Sequence, residues 1–376
     1  MMEHKERTRR NHKNSSLKIS TFKMRNHEGF LKQIVLAVLA LAFAAVMTGC
    51  GKSSKEGGQT YAWPLGTSSP EDTVTQIYAE RFAEEVDRLS GGEMRIQVYP
   101  NSILGGDREL LESCKDGDIP FVVQNTAPQV TFLPDIAVFD MPCLFDSIED
   151  VRTHIDNEEF MSQIQQVYKS GGYELLGYAD QGFRVMSSNK EAYTVEDFKG
   201  QKIRTMENPY HLRFWKALGA NPTPMTFSEV YIGLQQGTID AQENPYEVIV
   251  SNRLFEQQDF VIQTNHLPHL ISLIVSSEFM DGLSADQQAI IRKAAETAKV
   301  EARAQSDARI DSRIATIEES GTRIITLDDE NMSVIRQKCI PVYEAIEEVV
   351  SADLIEAYCG EKLEVIRANA KTSSVE

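Results

Sequence analysis

Two arginines within apolar segments are the strongest candidates for chemistry in this chain. Arg184 lies in the segment GFRVM, and Arg204 lies in KIRTM. Burying an arginine in a β-like segment is costly unless its charge meets an anion. Its planar guanidinium suits a carboxylate better than any other side chain does. Two interpretations therefore stand: a carboxylate-binding site, or arginines that lie along strand edges with their charged ends in water.

Alternating strand and helix patterns surround both arginines and predict an α/β fold. Apolar and polar residues alternate over 94–99, which is typical of a half-buried strand. Apolar runs predict further strands at 173–179, directly before Arg184, and at 201–206, with Arg204 near the carboxyl end. Ligands of open α/β sheets bind beyond the carboxyl ends of the strands. We therefore expect Arg204 to face a binding site.

Helix-capping patterns predict where several helices begin. Ser147 with Asp150, Thr226 with Glu229, and Ser284 with Gln287 have the spacing of capping boxes. The helix that begins at Ser284 meets no breaker until about Gly321, which predicts a length of roughly 50 Å. A compact lobe is about that wide, so we expect this helix to lie across two lobes. Further helices are predicted at 70–90, 107 onward, 147–170, 208–218 and from 331 to the end.

The front of the chain has the pattern of a secretion signal. Ile34–Thr48 is an apolar run that is short for a membrane span, and it ends in the lipobox-like sequence MTGC. We expect residues 1–49 to be a signal peptide, with Met24 as a possible true start. Cys50 is then the lipidated first residue of the mature protein, anchored outside the cytoplasm. The polar residues 50–59 form a tether to the folded part.

The mature chain is strongly acidic. Residues 1–49 carry nine basic and three acidic side chains, so removing them changes the formal charge from -18 to -24. Such a charge makes nucleic acids and anionic lipid surfaces poor partners. The length suffices for one large or two medium domains with full hydrophobic cores.

Four cysteines follow Cys50, and an even number permits disulfides outside the cytoplasm. Three pairings are possible and spacing does not choose among them; we favour Cys339 with Cys359, since both lie in the C-terminal helical part. Cys114 and Cys143 complete the set. None has a CxxC motif or a histidine at metal-ligand spacing, so we expect neither a metal nor a cofactor.

Several segments of the chain resemble a known family, the solute receptors of tripartite ATP-independent periplasmic (TRAP) transporters of the dicarboxylate-receptor type. The resemblance covers nearly the whole mature chain. It begins with FAEEVDRLSGGEMRIQVYPNSILGGDREL at 82–110 and is densest in GFRVMSSN, DFKGQKIRTM, GANPTPMTFSEVYIGLQQGTIDAQENP and TNH. It implies a two-lobed periplasmic-binding-protein-like fold of the class II type. The lobes of this fold close on an organic acid.

The resemblance also implies roles for individual residues. Arg204 would pair with the ligand carboxylate, and Arg184 would lie near the same group. Asn244, from QENP, would complete the anion clamp. Phe227, from PMTFSE, would pack on the ligand. All four family positions hold matching residue types.

The first lobe matches the family less regularly. Asp107, in LGGDR, matches a polar family position near the ligand. Asn125 stands where the sialic-acid receptor carries a glutamate, which argues against sialic acid. Ala241 replaces the glycine of the family's DGQENP. We expect Asp107, Asn125 and the turn at Thr67 to contact the end of the ligand that lies away from its carboxylate.

The expected domains and function follow from the resemblance. Residues 60–181 with 270–309 are expected to form one lobe, and residues 182–269 with 310–376 the other. The expected function is that of an extracytoplasmic, lipid-anchored receptor in the cell envelope. It would deliver an organic or sugar acid to TRAP permease subunits in the membrane, without catalysis.

Two other functions remain possible from the sequence. The same lobes could signal to a membrane kinase as a ligand-sensing module. The protein could also be an exported enzyme acting on organic acids, although no GxSxG or HExxH motif occurs. His266 and His269, in TNHLPH, are the only close histidine pair after Cys50. We interpret them as hinge or cleft polar groups rather than as metal ligands.

Overall fold

The computed structural model describes residues 61–373. The predicted signal peptide, the lipidation site Cys50 and the tether lie outside this range. Among the helices of residues 61–373, none combines the length and the apolar character that crossing a bilayer requires.

Nine strands of the described residues form one mixed sheet in the order β2-β1-β3-β8-β4-β7-β5-β6, with β9 alongside β8. Pairs β1–β2, β1–β3, β5–β6, β5–β7 and β8–β9 are parallel, whereas β8 pairs antiparallel with β3 and β4, and β4 pairs antiparallel with β7. The strands are β1 (Tyr61–Gly66), β2 (Met94–Tyr99), β3 (Phe121–Asn125), β4 (Tyr173–Ser188), β5 (Lys202–Thr205), β6 (Asn221–Pro224), β7 (Ala241–Asn244), β8 (Phe260–Ser276) and β9 (Arg323–Thr326).

Two long strands, β4 and β8, join the two ends of the sheet. The first part of β4 pairs with the last part of β8, next to β3, whereas the end of β4 pairs with the start of β8, next to β7 and β9. The register shifts three times along this pair, including between Asp180 and Phe183. Such bulges bend a strand. The result is the two-domain mixed α/β sheet that the sequence predicted, with both domains sharing these two strands.

The helices of the described residues confirm some predicted boundaries and correct others. Asn157 caps a new helix, so the helix predicted at 147–170 is divided in two. The C-terminal helical part is divided into three, and Gly360 ends its middle helix with a φ of 51°. The helices are α1 (Val74–Leu89), α2 (Asp107–Lys115), α3 (Ile148–Ile155), α4 (Glu158–Ser170), α5 (Pro209–Ala217), α6 (Val230–Gln235), α7 (Tyr246–Ser251), α8 (Ser277–Asp281), α9 (Ala285–Glu319), α10 (Asp329–Glu347), α11 (Ala352–Cys359) and α12 (Lys362–Ser373).

Helix α9 is the predicted long helix, and its 35 residues span roughly 52 Å. Ser284 and Gln287 form the predicted capping box at its start. The helix packs on α1, β4 and α7. Its buried positions are mostly small, which lets it approach the strand closely: Ala294, Ala295, Ala298, Ala302 and Ser306.

Ion pairs fasten α9 to elements from both ends of the sheet. Arg309 and Arg313 each contact Glu247 of α7 and Asp72, which lies just before α1. Arg303 donates two hydrogen bonds to the backbone carbonyl of Tyr178 in β4. The expected position of this helix across two lobes agrees with these contacts.

The favoured disulfide between Cys339 and Cys359 is wrong for the folded chain. Both cysteines are free and buried, as are Cys114 and Cys143. Cys339 donates to the carbonyl of Ile335 within its own helix, and the sulfur of Cys359 contacts that of Met141. The two cysteines lie in different helices, and spacing along the chain could not reveal which other groups each thiol contacts.

Candidate functional site

Arg204 occupies the third position of the short strand β5, and its side chain is 2% exposed. The backbone carbonyl of Met225 accepts hydrogen bonds from its Nε at 2.9 Å and from its Nη2 at 2.7 Å. The remaining nitrogen, Nη1, is buried and has no hydrogen-bond partner among residues 61–373. Burial lowers the pKa of Arg204 to about 10, so the guanidinium stays charged at neutral pH. A buried cation with an unused donor implies an anionic partner.

A cleft of about 470 Å³ lies in front of this guanidinium. A recess of about 30 Å³ adjoins it and shares five of its lining residues. The shared residues are Ser68, Asp107, Arg204, Met206 and Phe227. The recess adds Asn125, Asn244 and His269. The cleft and its recess together therefore contain five of the six predicted ligand-binding residues.

Phe227 begins a single 3-10 turn, Phe227–Glu229, that leads into α6. Its ring lies against Arg204, with the guanidinium carbon 5.9 Å from the ring centroid. A cation over an aromatic face is attracted by the ring quadrupole, which helps hold the guanidinium in place. The capping box predicted here is wrong, because the hydroxyl of Thr226 donates to the Glu229 side chain instead of accepting from the backbone.

Arg184 lies inside β4 and is not among the residues that line the cleft or its recess. Its Nε and Nη2 contact the carboxylate of Glu243, and Nη2 also donates to Oδ1 of Asn244 at 3.1 Å. Its Nη1 donates to Nδ1 of His269. Arg184 therefore orients two residues that do line the recess. Direct donation from Arg184 to a ligand carboxylate stays a prediction.

Asn244 and His269 line the recess, and their neighbours determine which of their hydrogen-bond donors remain available to a ligand. Nδ2 of Asn244 donates one hydrogen to Oε1 of Gln242, which leaves its second hydrogen available. An arginine can only donate, so Nδ1 of His269 accepts from Arg184 and the ring proton lies on Nε2. Burial and the neighbouring charge of Arg184 hold the pKa of His269 well below its ordinary value, which keeps the ring neutral.

Glu243 is the centre of the buried charge network behind the recess. Nε2 of His266 lies 3.0 Å from its Oε2, and Nδ1 of His211 lies 3.7 Å from its Oε1. Burial alone would raise the pKa of Glu243, but Arg184 and the two histidines hold it well below its ordinary value. Glu243 was not among the predicted site residues, although it stands between Gln242 and the predicted Asn244 in the QENP segment. The structure places it in β7, which is buried throughout.

Asp107 and Asn125 line the recess together with Arg204. Asp107 is the first residue of α2, and its Oδ1 accepts a hydrogen bond of 2.6 Å from the hydroxyl of Ser68. Asn125 donates from Nδ2 to the carbonyl of Leu270 and accepts from the amide of Ala127. One hydrogen of Nδ2 therefore remains for a ligand.

Three histidines, His211, His266 and His269, belong to this network. Within residues 61–373, no group of three or more histidine, cysteine or acidic side chains has the geometry of a metal site. The sequence singled out His266 and His269 only as polar groups of the hinge or cleft. It missed His211, which the fold brings to Glu243 from helix α5.

Comparison with known proteins now identifies the family. The profile of bacterial extracellular solute-binding proteins of family 7, the DctP family, matches residues 65–349. The chain belongs to this family. A C4-dicarboxylate-binding periplasmic protein of Vibrio cholerae is 30% identical over 290 residues, which are 77% of this chain and 85% of that protein.

Solved structures of TRAP periplasmic solute-binding proteins have the same fold. One from Polaromonas, bound to D-erythronate, is 30% identical with a TM-score of 0.76, and the match covers 80% of this chain and 98% of that one. The sugar-acid-binding protein of Advenella mimigardefordensis, in complex with galactonate, is 29% identical with a TM-score of 0.74 and coverages of 84% and 99%. The chain is thus a TRAP solute-binding protein of an extracytoplasmic family, and its relatives are binding proteins rather than enzymes.

Proposed function

We propose that this TRAP solute-binding protein captures a small carboxylate in its cleft and delivers it to a membrane permease. One observation carries the proposal: the buried Nη1 of Arg204, which faces a cleft and has no partner among the described residues. Leaving such a donor unpaired costs free energy, and a ligand carboxylate would remove that cost.

The hydrogen bonds of Arg204 suit a bidentate ligand. The carbonyl of Met225 takes the Nε hydrogen and one hydrogen of Nη2. The end of the guanidinium, with Nη1 and the second hydrogen of Nη2, then remains for the two oxygens of one carboxylate. Parallel hydrogen bonds of this kind are strong and fix the orientation of the anion.

The other lining residues complete the proposed site. Asn244 and His269 would donate further hydrogen bonds, held in place by Arg184. Phe227 would pack on the ligand, while Asp107 and Asn125 would contact its other end. Closure of the cleft would exclude water and strengthen each of these contacts, because the local dielectric falls. A ligand shared by both lobes would drive this hinge motion through its higher affinity for the closed form.

The cellular setting is also part of the proposal. The sequence MTGC supports a lipid anchor at Cys50 that would hold the receptor on the outer face of a membrane. The family supports a permease as the partner. We infer that the solute is released unchanged, since the cleft residues named above would bind and orient an anion and the relatives are binding proteins.

A paired ligand screen tests the proposal. Thermal unfolding would be followed with organic and sugar acids, each matched to a neutral analogue such as galactitol for galactonate. We expect at least one acid to raise the melting temperature by mass action, with its neutral analogue having no effect. Recovering the acid unchanged, by NMR after incubation, would agree with a receptor. Equal stabilisation by the neutral analogues would contradict a carboxylate site.

A further inference from the structure

The charged residues that line the cleft are mostly acidic. Arg204 is the buried cation among the lining residues within 61–373, because the donors of the second arginine, Arg184, are directed at Glu243, Asn244 and His269. The main cleft is also lined by three acidic residues, Asp107, Glu109 and Glu207.

Both glutamates lie within electrostatic range of Asp107. Burial raises the pKa of Asp107, and the charges of Glu109 and Glu207 raise it further. Arg204 also acts on Asp107, in the opposite direction. A ligand whose carboxylate binds Arg204 would therefore share the cleft with three acidic side chains.

One other cation, Arg108, lines the cleft, but its charge is already paired. Its Nε lies 3.3 Å from Oε1 of Glu112, in the same helix. Its guanidinium also lies over the ring of Phe132, 5.6 Å from the centroid. The side chain of Arg108 is 56% exposed, so water screens its charge and it would bind a second ligand carboxylate more weakly than the buried Arg204 binds the first.

We propose that this cleft selects acids with a single carboxylate and hydroxyl groups along the rest of the molecule, and that it rejects dicarboxylates. This inference rests on the proposed function and adds the class of solute. A second carboxylate would lie among three acidic side chains, and juxtaposed like charges are strongly unfavourable. Hydroxyl groups would instead donate to those carboxylates, forming hydrogen bonds to charged acceptors.

Hydroxyl-bearing side chains also line the main cleft, which suits a hydroxylated ligand. They are Ser68, Ser102, Thr131, Thr226 and Ser228, and hydroxyls can pair with hydroxyls as donors or acceptors.

Matched pairs of acids test this selectivity on the full chain by titration calorimetry. Erythronate and tartrate share a four-carbon hydroxylated skeleton and differ in the second carboxylate, as do galactonate and galactarate. We expect the better monocarboxylate to bind more tightly than its dicarboxylate partner, on the order of 100-fold. Succinate should bind weakly, and its monomethyl ester more tightly than succinate itself.

Variants connect the selectivity to the acidic residues. Asp107→Asn should reduce the preference for the monocarboxylate by roughly tenfold. The substitution weakens the hydrogen bond that a ligand hydroxyl would donate to residue 107, and it also weakens the repulsion of a second ligand carboxylate. Glu207→Gln, at an exposed position on the cleft, should also reduce this preference. It keeps the selectivity testable if Asp107→Asn fails to fold. Asp116→Asn, at the exposed end of the same helix α2, should leave the ratio unchanged.

The outcomes separate this inference from the proposed function. If a dicarboxylate binds as tightly as its partner, or a zwitterion such as ectoine binds best, the inference fails while carboxylate capture stands. The inference also fails if neither Asp107→Asn nor Glu207→Gln changes the ratio. If no acid binds at all, the proposed function itself fails.

Discussion

Arg184 and Glu243 form an ion pair that is buried on every side, with Nε of Arg184 2.5 Å from Oε2 of Glu243. The two side chains are 1% and 0% exposed. The pair joins adjacent strands, because β4 pairs with β7 directly after Arg184 and places Met186 opposite Glu243. It also holds Asn244 and His269, which line the recess of the cleft. A single interaction thus supports both the sheet and the orientation of two candidate ligand-binding groups.

Breaking this pair should destabilise the protein strongly. We expect Arg184→Met to lower the free energy of unfolding by about 3–5 kcal/mol, because the carboxylate of Glu243 would remain buried without its main counter-charge. Denaturant unfolding followed by circular dichroism measures the change. The exposed pair Arg95 and Asp87 provides the control, since Asp87→Asn should change stability by less than about 1 kcal/mol. Equal effects of the two substitutions would contradict the buried role of Arg184.

His211 should make stability fall at alkaline pH. Burial lowers the pKa of His211, but Asp140 and Glu243 outweigh this effect and raise it to about 9, above the ordinary value of 6.5. A group whose pKa is raised on folding stabilises the native state fully below the unfolded value. That contribution is lost as the pH rises through the folded value.

The expected loss is on the order of 2 kcal/mol between pH 6.5 and 9. Thermal or denaturant unfolding across this range measures it, with His211→Gln as the comparison. The variant should be less stable near pH 6.5, and its stability should change less toward pH 9. Parallel pH profiles for the two proteins would show that His211 is not protonated in the native state.

The sequence predicted the location of the site better than the interactions that hold it. The position of Arg204 was predictable because the KIR segment ends a strand and is part of the family resemblance. The position of Arg204 in the cleft agrees with both observations. The long helix α9 was predictable because its capping box and its lack of breakers are local features.

The interactions behind the cleft depend on pairing between distant segments. Arg184 meets Glu243 only because β4 lies beside β7, and it meets His269 only because β4 also pairs with β8. The length of β4 was underestimated for the same reason, since the strand predicted at 173–179 extends to Ser188. Polar residues such as Arg184 and His269 interrupt the apolar pattern, and their partners across the sheet are what allow them to be buried.

The four cysteines of the described residues should be unreactive in the native protein. All four are buried thiols, and burial raises the pKa of Cys114 and Cys359. A thiol that is neutral and inaccessible does not react with an alkylating reagent. We expect mass spectrometry to find no labelling of these residues by iodoacetamide until denaturant is added, when all four should react. Two thiols that stay unlabelled after unfolding without reductant would reveal a disulfide.

The role of Arg204 is tested most directly by titration calorimetry with the best acid from the ligand screen. We predict that Arg204→Ala weakens binding by about 2–5 kcal/mol, because the carboxylate would be left buried and unpaired. Arg204→Lys should also weaken it, since one ammonium cannot reproduce the planar fork. Arg213→Ala, at an exposed position on α5, should bind as the unmodified chain does. An unchanged affinity in a folded Arg204→Ala protein would contradict the account.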